Sequence, residues 1–174
     1  EHRWRYQRFM ARYLRTVQSI DDSVGRVLDW LEASGLRENT VVIYTSDQGF
    51  FLGDHGWFDK RFMYEESLRM PFLVSHPASL PSAQTTSDIL LNTDIAPTLL
   101  DWANVEIPTF MQGRSMRDCL AGERPDDWRT AFYYRYWMHQ DDYHDVWSHY
   151  GIRTHTHKLI HYYADPLDTN PQGC

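Results

Sequence analysis

The chain has 174 residues, of which 42% are hydrophobic and 24% are charged, the composition of a globular protein with one sizeable core. A formal net charge of −7 argues against nucleic acid and anionic membranes as partners, because both bind basic surfaces. No apolar run approaches the roughly 20 residues that span a bilayer. Cys119 and Cys174 make no metal-type spacing; they form either one bridge or two free thiols, the second being the safer interpretation. The start at Glu1, without methionine, favours a piece of a longer protein.

Residues 4–34 predict a long amphipathic helix. Gaps of three and four between apolar residues place them on one face, and Gly35 supplies the stop. The arginines lie mainly off that face and predict a solvated surface rather than a nucleic-acid contact. The predicted inner face consists of Met10, Tyr13, Leu14, Val17, Ile20, Val24, Val27, Leu28 and Leu31.

Two apolar runs predict strands. Residues 41–45 are continuously β-branched or aromatic, which is typical of a strand in a parallel-type sheet flanked by helices. Residues 70–75 predict a second strand, and Thr93-Asp94 can cap a short helix with Ile95, Leu99, Leu100 and Ala103 inside. This order of elements predicts an α/β fold.

The sequence becomes richer in aromatic residues after Pro108. Aromatic runs at 131–137, 150–154 and 158–163 predict short strands, the last two forming an antiparallel hairpin around Thr156. We therefore expect an α/β domain over residues 1–108, and a connecting loop with a smaller β-rich subdomain over 109–174.

The first strand runs directly into Ser46-Asp47-Gln48-Gly49. Ligands bind at the carboxyl ends of strands in open α/β sheets, and the oxygens of Asp47 and Gln48 suit Ca²⁺ or Mg²⁺ better than Zn²⁺. Such a cation wants about six to eight oxygens, so two residues cannot complete the site. On spacing alone, a plain strand-end turn is the stronger interpretation.

Residues 45–71 read T-S-D-Q-G-x-x-L-G-D-H-G-x-x-D-K-R-x-x-Y-E-E-S-x-R-x-P. This block resembles the C-terminal signature of the type I sulfatases, formylglycine-dependent enzymes of the alkaline phosphatase superfamily. Residues 25–40, 94–100 and 112–115 are similar to the family as well. The resemblance implies part of an alkaline-phosphatase-like sandwich with a small C-terminal antiparallel subdomain.

The resemblance also implies roles for individual residues. Asp47 and Gln48 would bind Ca²⁺, and the Lys60 ammonium would contact the sulfate group. Without the motif, Lys60 would be interpreted as a surface lysine paired with Asp59 or Glu65. His55 is open between a general acid, a substrate contact and a loop-ordering histidine, the last two being favoured.

The C-terminal aromatic region is histidine-rich. By the resemblance this subdomain closes over the active site, which predicts that His144, His149 and Arg153 hold sugar hydroxyls. A zinc site at His155 and His157 is the weaker alternative, because no third ligand has a defined spacing.

The family's formylglycine arises from Cys/Ser-x-Pro-x-Arg, which this sequence does not contain. The resemblance therefore implies that the isolated chain is inactive and that the parent hydrolyses sulfate esters, with a 6-O-sulfated N-acetylglucosamine as the first candidate. A glycan substrate implies an exported parent, although the sequence leaves the location undetermined. The alternatives are a phosphodiesterase or phosphonate hydrolase of the same superfamily, which would favour His at position 48, and a non-catalytic remnant.

Overall fold

In the computed structural model, which describes residues 1–81 and 83–163, the chain begins with one long helix, α1 (His2–Ala33). Gly35 takes a left-handed φ of 68° and ends it. The N–H of Gly35 donates to Glu32 O at 3.0 Å, and that of Leu36 donates to Leu31 O at 3.0 Å. These two bonds satisfy carbonyls that the last turn leaves without partners. The predicted helix and its glycine stop are confirmed.

The predicted inner face of α1 is largely solvent-exposed. Leu31 is the buried residue of this helix, whereas Leu14 is 57% exposed and Val27 is 55% exposed. Periodicity determines which side chains share a face, but not what covers that face. None of the described helices is long and apolar enough to cross a membrane.

Four strand and helix segments follow in the order expected of an α/β chain. The strands β1 (Val42–Thr45) and β2 (Phe72–Ser75) pair in a two-stranded sheet. Between them lies the one-turn helix α2 (Glu65–Leu68), and after them comes α3 (Ile95–Trp102). Both predicted strands are confirmed, each one or two residues shorter than expected.

The predicted inner face of α3 is confirmed only in part: Ile95 packs against the buried cluster of Met116, Cys119 and Trp128. Pro97 and Thr98 are the buried residues of this helix, whereas Leu99 is 45% exposed and Ala103 is exposed. The helix is entered through a 3-10 turn (Asn92–Asp94), in which Asp94 is buried.

A three-stranded antiparallel sheet contains β3 (Ala131–Tyr136), β4 (His149–Thr154) and β5 (Lys158–Tyr162), in that order. The β4–β5 hairpin turns at Thr154–His157, where the N–H of Thr154 donates to His157 O at 2.8 Å. This confirms the predicted hairpin around Thr156. A short helix, α4 (Arg117–Ala121), precedes the sheet.

The chain forms two compact units. The first contains Glu1–Val42 and Ser75–Leu80, and the second contains Ile43–Val74 and Pro81–Cys174. The predicted division into domains at 108/109 follows a different criterion, the change in sequence texture, and stays a prediction.

The second unit has its own buried cluster. Met116, Cys119 and Trp128 form its centre, and Phe72, Leu90, Ile95 and Leu120 pack against them. Burial raises the pKa of the Cys119 thiol to about 11, and Asp88 adds to that effect. Cys119 is a free thiol, whereas Cys174 lies outside the described residues.

Candidate active site around the Glu65–Leu68 helix

The strand-end turn presents an exposed carboxylate beside a fixed amide. Asp47 is exposed, and Gln48 is half-buried. The Ser46 hydroxyl donates to Gln48 O at 2.9 Å, which closes the turn locally. Asp47 therefore projects its carboxylate from a short, hydrogen-bonded loop at the carboxyl end of β1.

The side-chain amide of Gln48 has a defined orientation. Its Nε2 donates to Ser67 O at 2.7 Å, and also lies 3.1 Å from Ser67 Oγ and 3.4 Å from Lys60 O. All three partners are acceptors, so the nitrogen, not the oxygen, faces them. Oε1 is left as the amide atom available to a cation.

Gly49 allows this turn to contact α2 directly. A Cβ at Gly49 would lie 2.2 Å from the backbone oxygen of Glu66 and 2.7 Å from that of Ser67. The Gly49 N–H donates to Ser67 O at 3.0 Å. Any side chain here would force the turn away from α2, since the obstructing atoms are backbone.

The side chain of Lys60 forms no ion pair with Asp59 or Glu65, the two partners considered for it. Asp59 forms an ion pair with Arg61 instead, and Glu65 pairs with Arg153. The Lys60 side chain is exposed, and the described residues provide no ion pair for its ammonium. Lys60 is thus a surface lysine, but the expected pairing with Asp59 or Glu65 is not observed, and its charge is available to an anionic ligand.

His55 lies in a strained loop next to α2. Its φ of 55° is left-handed, a conformation that is uncommon outside glycine. Its Nε2 lies 3.3 Å from Glu66 Oε1, and its ring contacts Tyr64 with the centroids 5.1 Å apart. This pairing supports the loop-ordering interpretation, while the half-exposed ring leaves a substrate contact open.

Glu65 links α2 to the C-terminal sheet. Its Oε1 accepts from Arg153 Nε at 2.8 Å and from Lys158 Nζ at 2.7 Å. The hydrogen bond from Arg153, with a smaller one from Lys158, lowers the pKa of Glu65 to about 2 against the opposing effect of burial. Arg153 is thus connected to α2 by its bond to the Glu65 carboxylate.

The helix α2 contacts four of the seven predicted site residues. Glu65 holds Arg153, Glu66 holds His55, and Ser67 holds Gln48 together with the backbone of Lys60. The two predicted histidines of the tail, His144 and His149, are not joined to α2 by any hydrogen bond or ion pair in the part of the chain that the structure describes.

His149 is completely buried, at 0% exposure. Its Nδ1 donates to Trp147 O at 2.7 Å, and its ring stacks with those of Tyr134 and Tyr136. Burial lowers its pKa, which keeps the ring neutral. In this arrangement His149 packs the sheet and cannot contact sugar hydroxyls, contrary to the predicted role.

His144 is half-buried and bound to its own loop. Its Nδ1 lies 2.6 Å from Asp141 Oδ1, and its backbone N–H donates to the same oxygen at 3.2 Å. Burial opposes ionisation of Asp141, but the hydrogen bonds from His144 and Tyr143 outweigh it and lower the pKa of this carboxyl. The predicted substrate contact of His144 stays a prediction.

A cleft of about 410 Å³ lies in the second unit. Its wall includes Glu65 and Arg153 but none of the other six predicted site residues. Its lining mixes charged and amide groups with aliphatic and aromatic side chains. Lining residues include Arg69, Asn92, His155, Phe72 and Phe132.

The described residues contain no group of three or more His, Cys, Asp or Glu side chains that could hold a metal ion. Asp47 and the oriented oxygen of Gln48 are hard oxygen donors, the kind that Ca²⁺ and Mg²⁺ prefer. They fit a contribution of two ligands to such a site, not a whole one.

The sequence matches, over residues 53–170, the family described as "N-sulphoglucosamine sulphohydrolase, C-terminal". It is 51% identical over 164 residues to an N-acetylglucosamine-6-O-sulfatase of Bacteroides thetaiotaomicron, which covers 93% of this chain and 29% of the relative. It is 36% identical over 118 residues to the N-acetylglucosamine-6-sulfatase of Homo sapiens, which covers 67% of this chain and 21% of the relative. The chain thus spans less than a third of the length of these relatives.

Solved structures agree with these matches. One, described as a complex with its substrate D-glucosamine-2-N,6-O-disulfate, superposes with a TM-score of 0.88 at 48% identity, covering 97% of this chain and 36% of that one. A phosphonate monoester hydrolase from Silicibacter pomeroyi superposes with a TM-score of 0.73 at 26% identity, covering 84% of this chain and 31% of that one. The fold is therefore the α/β fold that these sulfatases and hydrolases share.

Proposed function

Because this chain belongs to the N-sulphoglucosamine sulphohydrolase C-terminal family, and so to the sulfatases of the alkaline phosphatase superfamily, we propose that the intact protein hydrolyses 6-O-sulfate esters of glucosamine-type sugars. The observation that carries the proposal is the 51% identity to an N-acetylglucosamine-6-O-sulfatase across 93% of this chain. The similarity to a structure that holds D-glucosamine-2-N,6-O-disulfate supports the same substrate class.

Lys60 supplies positive charge to the sulfate group in this proposal. Its exposed ammonium lacks a carboxylate partner among the described residues, so binding an anion does not require an ion pair to break first. Negative charge that grows on the sulfuryl oxygens during displacement would be stabilised by this cation.

Asp47 and Gln48 contribute to a metal site. Family membership implies a metal cofactor, and the oxygen donors of these residues favour Ca²⁺. The cation would supply Lewis-acid stabilisation of the sulfate oxygens when bound. Asp47 brings the charge, and Gln48 brings a neutral oxygen whose direction is fixed by the hydrogen bonds of its Nε2. The remaining ligands and the formylglycine nucleophile would come from residues outside this chain.

The sugar would lie against Arg153, at the wall of the cleft. Arg153 and His155 line that cleft together with aliphatic and aromatic side chains. Sugars combine hydroxyl groups with apolar C–H faces, so a wall of this mixed kind suits them. His55 would order the loop at the rim, because it is held by Glu66.

The direct test is release of inorganic sulfate by the intact protein from N-acetylglucosamine-6-sulfate and from D-glucosamine-2-N,6-O-disulfate. We expect turnover of such substrates to exceed that of phosphonate monoesters and phosphodiesters. Preference for a phosphodiester or phosphonate would instead favour the hydrolase alternative. Absence of all three activities would favour a non-catalytic role.

Replacement of Lys60 tests the site itself. Loss of a fixed charge at a developing anion costs on the order of 10²–10³ in kcat, so Lys60→Ala should lower sulfate release by that factor. Lys158, the other lysine in the chain, provides the matched control. Lys158→Ala removes an equal charge that already pairs with Glu65, and it should retain activity within a few-fold. Equal losses in both variants would contradict the assignment of Lys60.

A further inference from the structure

Ser67 lies at the point where the candidate metal ligand and the candidate sulfate contact meet. It is 1% exposed. Its hydroxyl donates to Lys60 O, and the same oxygen accepts from Gln48 Nε2 at 3.1 Å. Its backbone oxygen accepts from Gln48 Nε2 at 2.7 Å and from the Gly49 N–H at 3.0 Å. One buried serine therefore bonds to both segments.

The number of protons on the Ser67 hydroxyl and the Gln48 amide determines which atom donates and which accepts. A serine hydroxyl has a single proton, and here Lys60 O takes it. The hydroxyl oxygen must then act as an acceptor toward Gln48. The amide of Gln48 has two protons, and the acceptors of Ser67 and Lys60 use both. A flipped amide would point Oε1 at three acceptors, which is repulsive.

We propose that Ser67 is a positioning residue that fixes the direction of the Gln48 amide oxygen and the backbone of Lys60 together. The inference rests on the proposed function, since it assigns Gln48 to a cation and Lys60 to a sulfate. Ser67 touches neither group itself. It acts by holding the amide of a cation ligand and the backbone of Lys60 in one arrangement, so that the Lys60 side chain starts from a fixed position relative to the metal.

The physical reason is the cost of a loose ligand. A glutamine side chain has three rotatable bonds, and its amide presents oxygen or nitrogen with equal ease unless hydrogen bonds select one. Partners that orient a metal ligand in this way typically account for 10–100-fold in metal affinity. Ser67 is placed to have that effect on Gln48, because it is buried and contributes two acceptors.

The test measures binding of Ca²⁺ alone, without turnover. The intact protein is stripped of metal, and its midpoint of thermal unfolding is followed during titration with Ca²⁺. A cation that binds only the folded protein raises this midpoint with increasing concentration. Ser67→Ala keeps the backbone oxygen that accepts from Gln48 and removes the hydroxyl that bonds to both Gln48 and Lys60. We therefore expect the half-saturating Ca²⁺ concentration to rise about 10-fold over wild type, the lower end of the range for such partners.

The matched control is Thr98→Val. Thr98 is also a completely buried residue whose hydroxyl donates to a backbone oxygen, that of Asp94, and accepts a backbone N–H, that of Met116. Its replacement removes an equivalent buried hydroxyl away from Gln48 and Lys60. The unfolding temperature without metal should fall in both variants, whereas only Ser67→Ala should weaken Ca²⁺ binding.

Two outcomes overturn the proposal and are distinguishable. A wild-type protein without a Ca²⁺-dependent shift would remove the metal site and this inference together. A normal wild-type shift that Ser67→Ala leaves unchanged would remove the inference alone. If Ser67→Ala does not fold, Ser67→Cys replaces it. The thiol keeps a polar atom at this position but is larger than the hydroxyl and a weaker donor and acceptor, so the half-saturating concentration should again rise, and an unchanged value would overturn the proposal.

Discussion

Two carboxylates in the second unit bind arginine in opposite surroundings. Asp94 is 0% exposed, and it accepts from both terminal nitrogens of Arg129 and from the backbone N–H groups of Leu91 and Arg114. The Glu65 side chain is 49% exposed and accepts from Arg153 and Lys158. The first carboxylate is saturated by directed bonds in the interior, and the second is paired at the surface.

The difference in burial distinguishes a carboxylate that holds the fold, Asp94, from one whose ion pairs can exchange, Glu65. A buried charge cannot lose its partner without a large penalty, because no water replaces it. An exposed pair exchanges readily with solvent and contributes little to stability. Asp94 therefore fixes the entry to α3, whereas the pair between Glu65 and Arg153 can open toward an anionic or hydroxylated ligand.

The largest effect should come from breaking the buried cluster. Asp94→Ala leaves Arg129 and two backbone N–H groups without their acceptor, and removal of one partner from a buried ion pair costs about 3–5 kcal/mol. Urea unfolding of the intact protein measures this loss. Asp127→Ala is the control, because Asp127 pairs with Arg114 while its side chain is 77% exposed. If both variants lost a similar free energy of unfolding, burial would not explain the role of Asp94.

An intermediate effect is expected when the exposed pair is broken. Glu65→Gln removes the charge that neutralises Arg153 and Lys158. Its effect on the free energy of unfolding should stay below about 1 kcal/mol. The KM for a sulfated sugar should fall roughly two- to fivefold, since less negative charge opposes the substrate. Glu106→Gln, which removes an exposed carboxylate elsewhere, should leave KM unchanged, and a rise in KM for Glu65→Gln would argue against this placement of the sugar.

The smallest effect is a dependence on pH. The pKa of Glu65 is lowered from its usual 4.5 to about 2, chiefly by the hydrogen bond from Arg153. Its contribution to stability is therefore complete above pH 4.5 and is lost as the pH falls through about 2. The difference in unfolding temperature between wild type and Glu65→Gln should shrink to zero across this window. A difference that persists unchanged at pH 2 would show that the ion pair is not its source.

Much of the site followed from the motif in residues 45–71. Asp47, Gln48 and Lys60 are near one another in sequence, so the segment that carries them could be identified without tertiary information. Ser67 belongs to the same motif, in E-E-S, yet its role could not be assigned. A serine in a sequence shows neither its burial nor the acceptors around it, and both depend on how the turn at Gly49 meets α2.

The roles assigned in the C-terminal region depended on information that the sequence does not contain. The aromatic run at 150–154 predicted a short strand, but not which of the residues in or beside it face the interior. His149 lies at the start of β4 and is buried among tyrosines, whereas Arg153 of the same strand reaches Glu65. Two polar residues that looked equivalent as substrate contacts therefore have different surroundings.

The sequence by itself determined the local elements: the helix that ends at Gly35, the strand before Ser46, the hairpin around Thr156, and the motif that carries Lys60. These depend on periodicity, glycine conformation and hydrogen bonds between near neighbours. The tertiary structure alone decided that Arg153 meets Glu65 across 88 residues and that no carboxylate in the described part of the chain pairs with Lys60. The reason is that partners distant along the chain are chosen by packing, in which every candidate carboxylate competes for the same few cations.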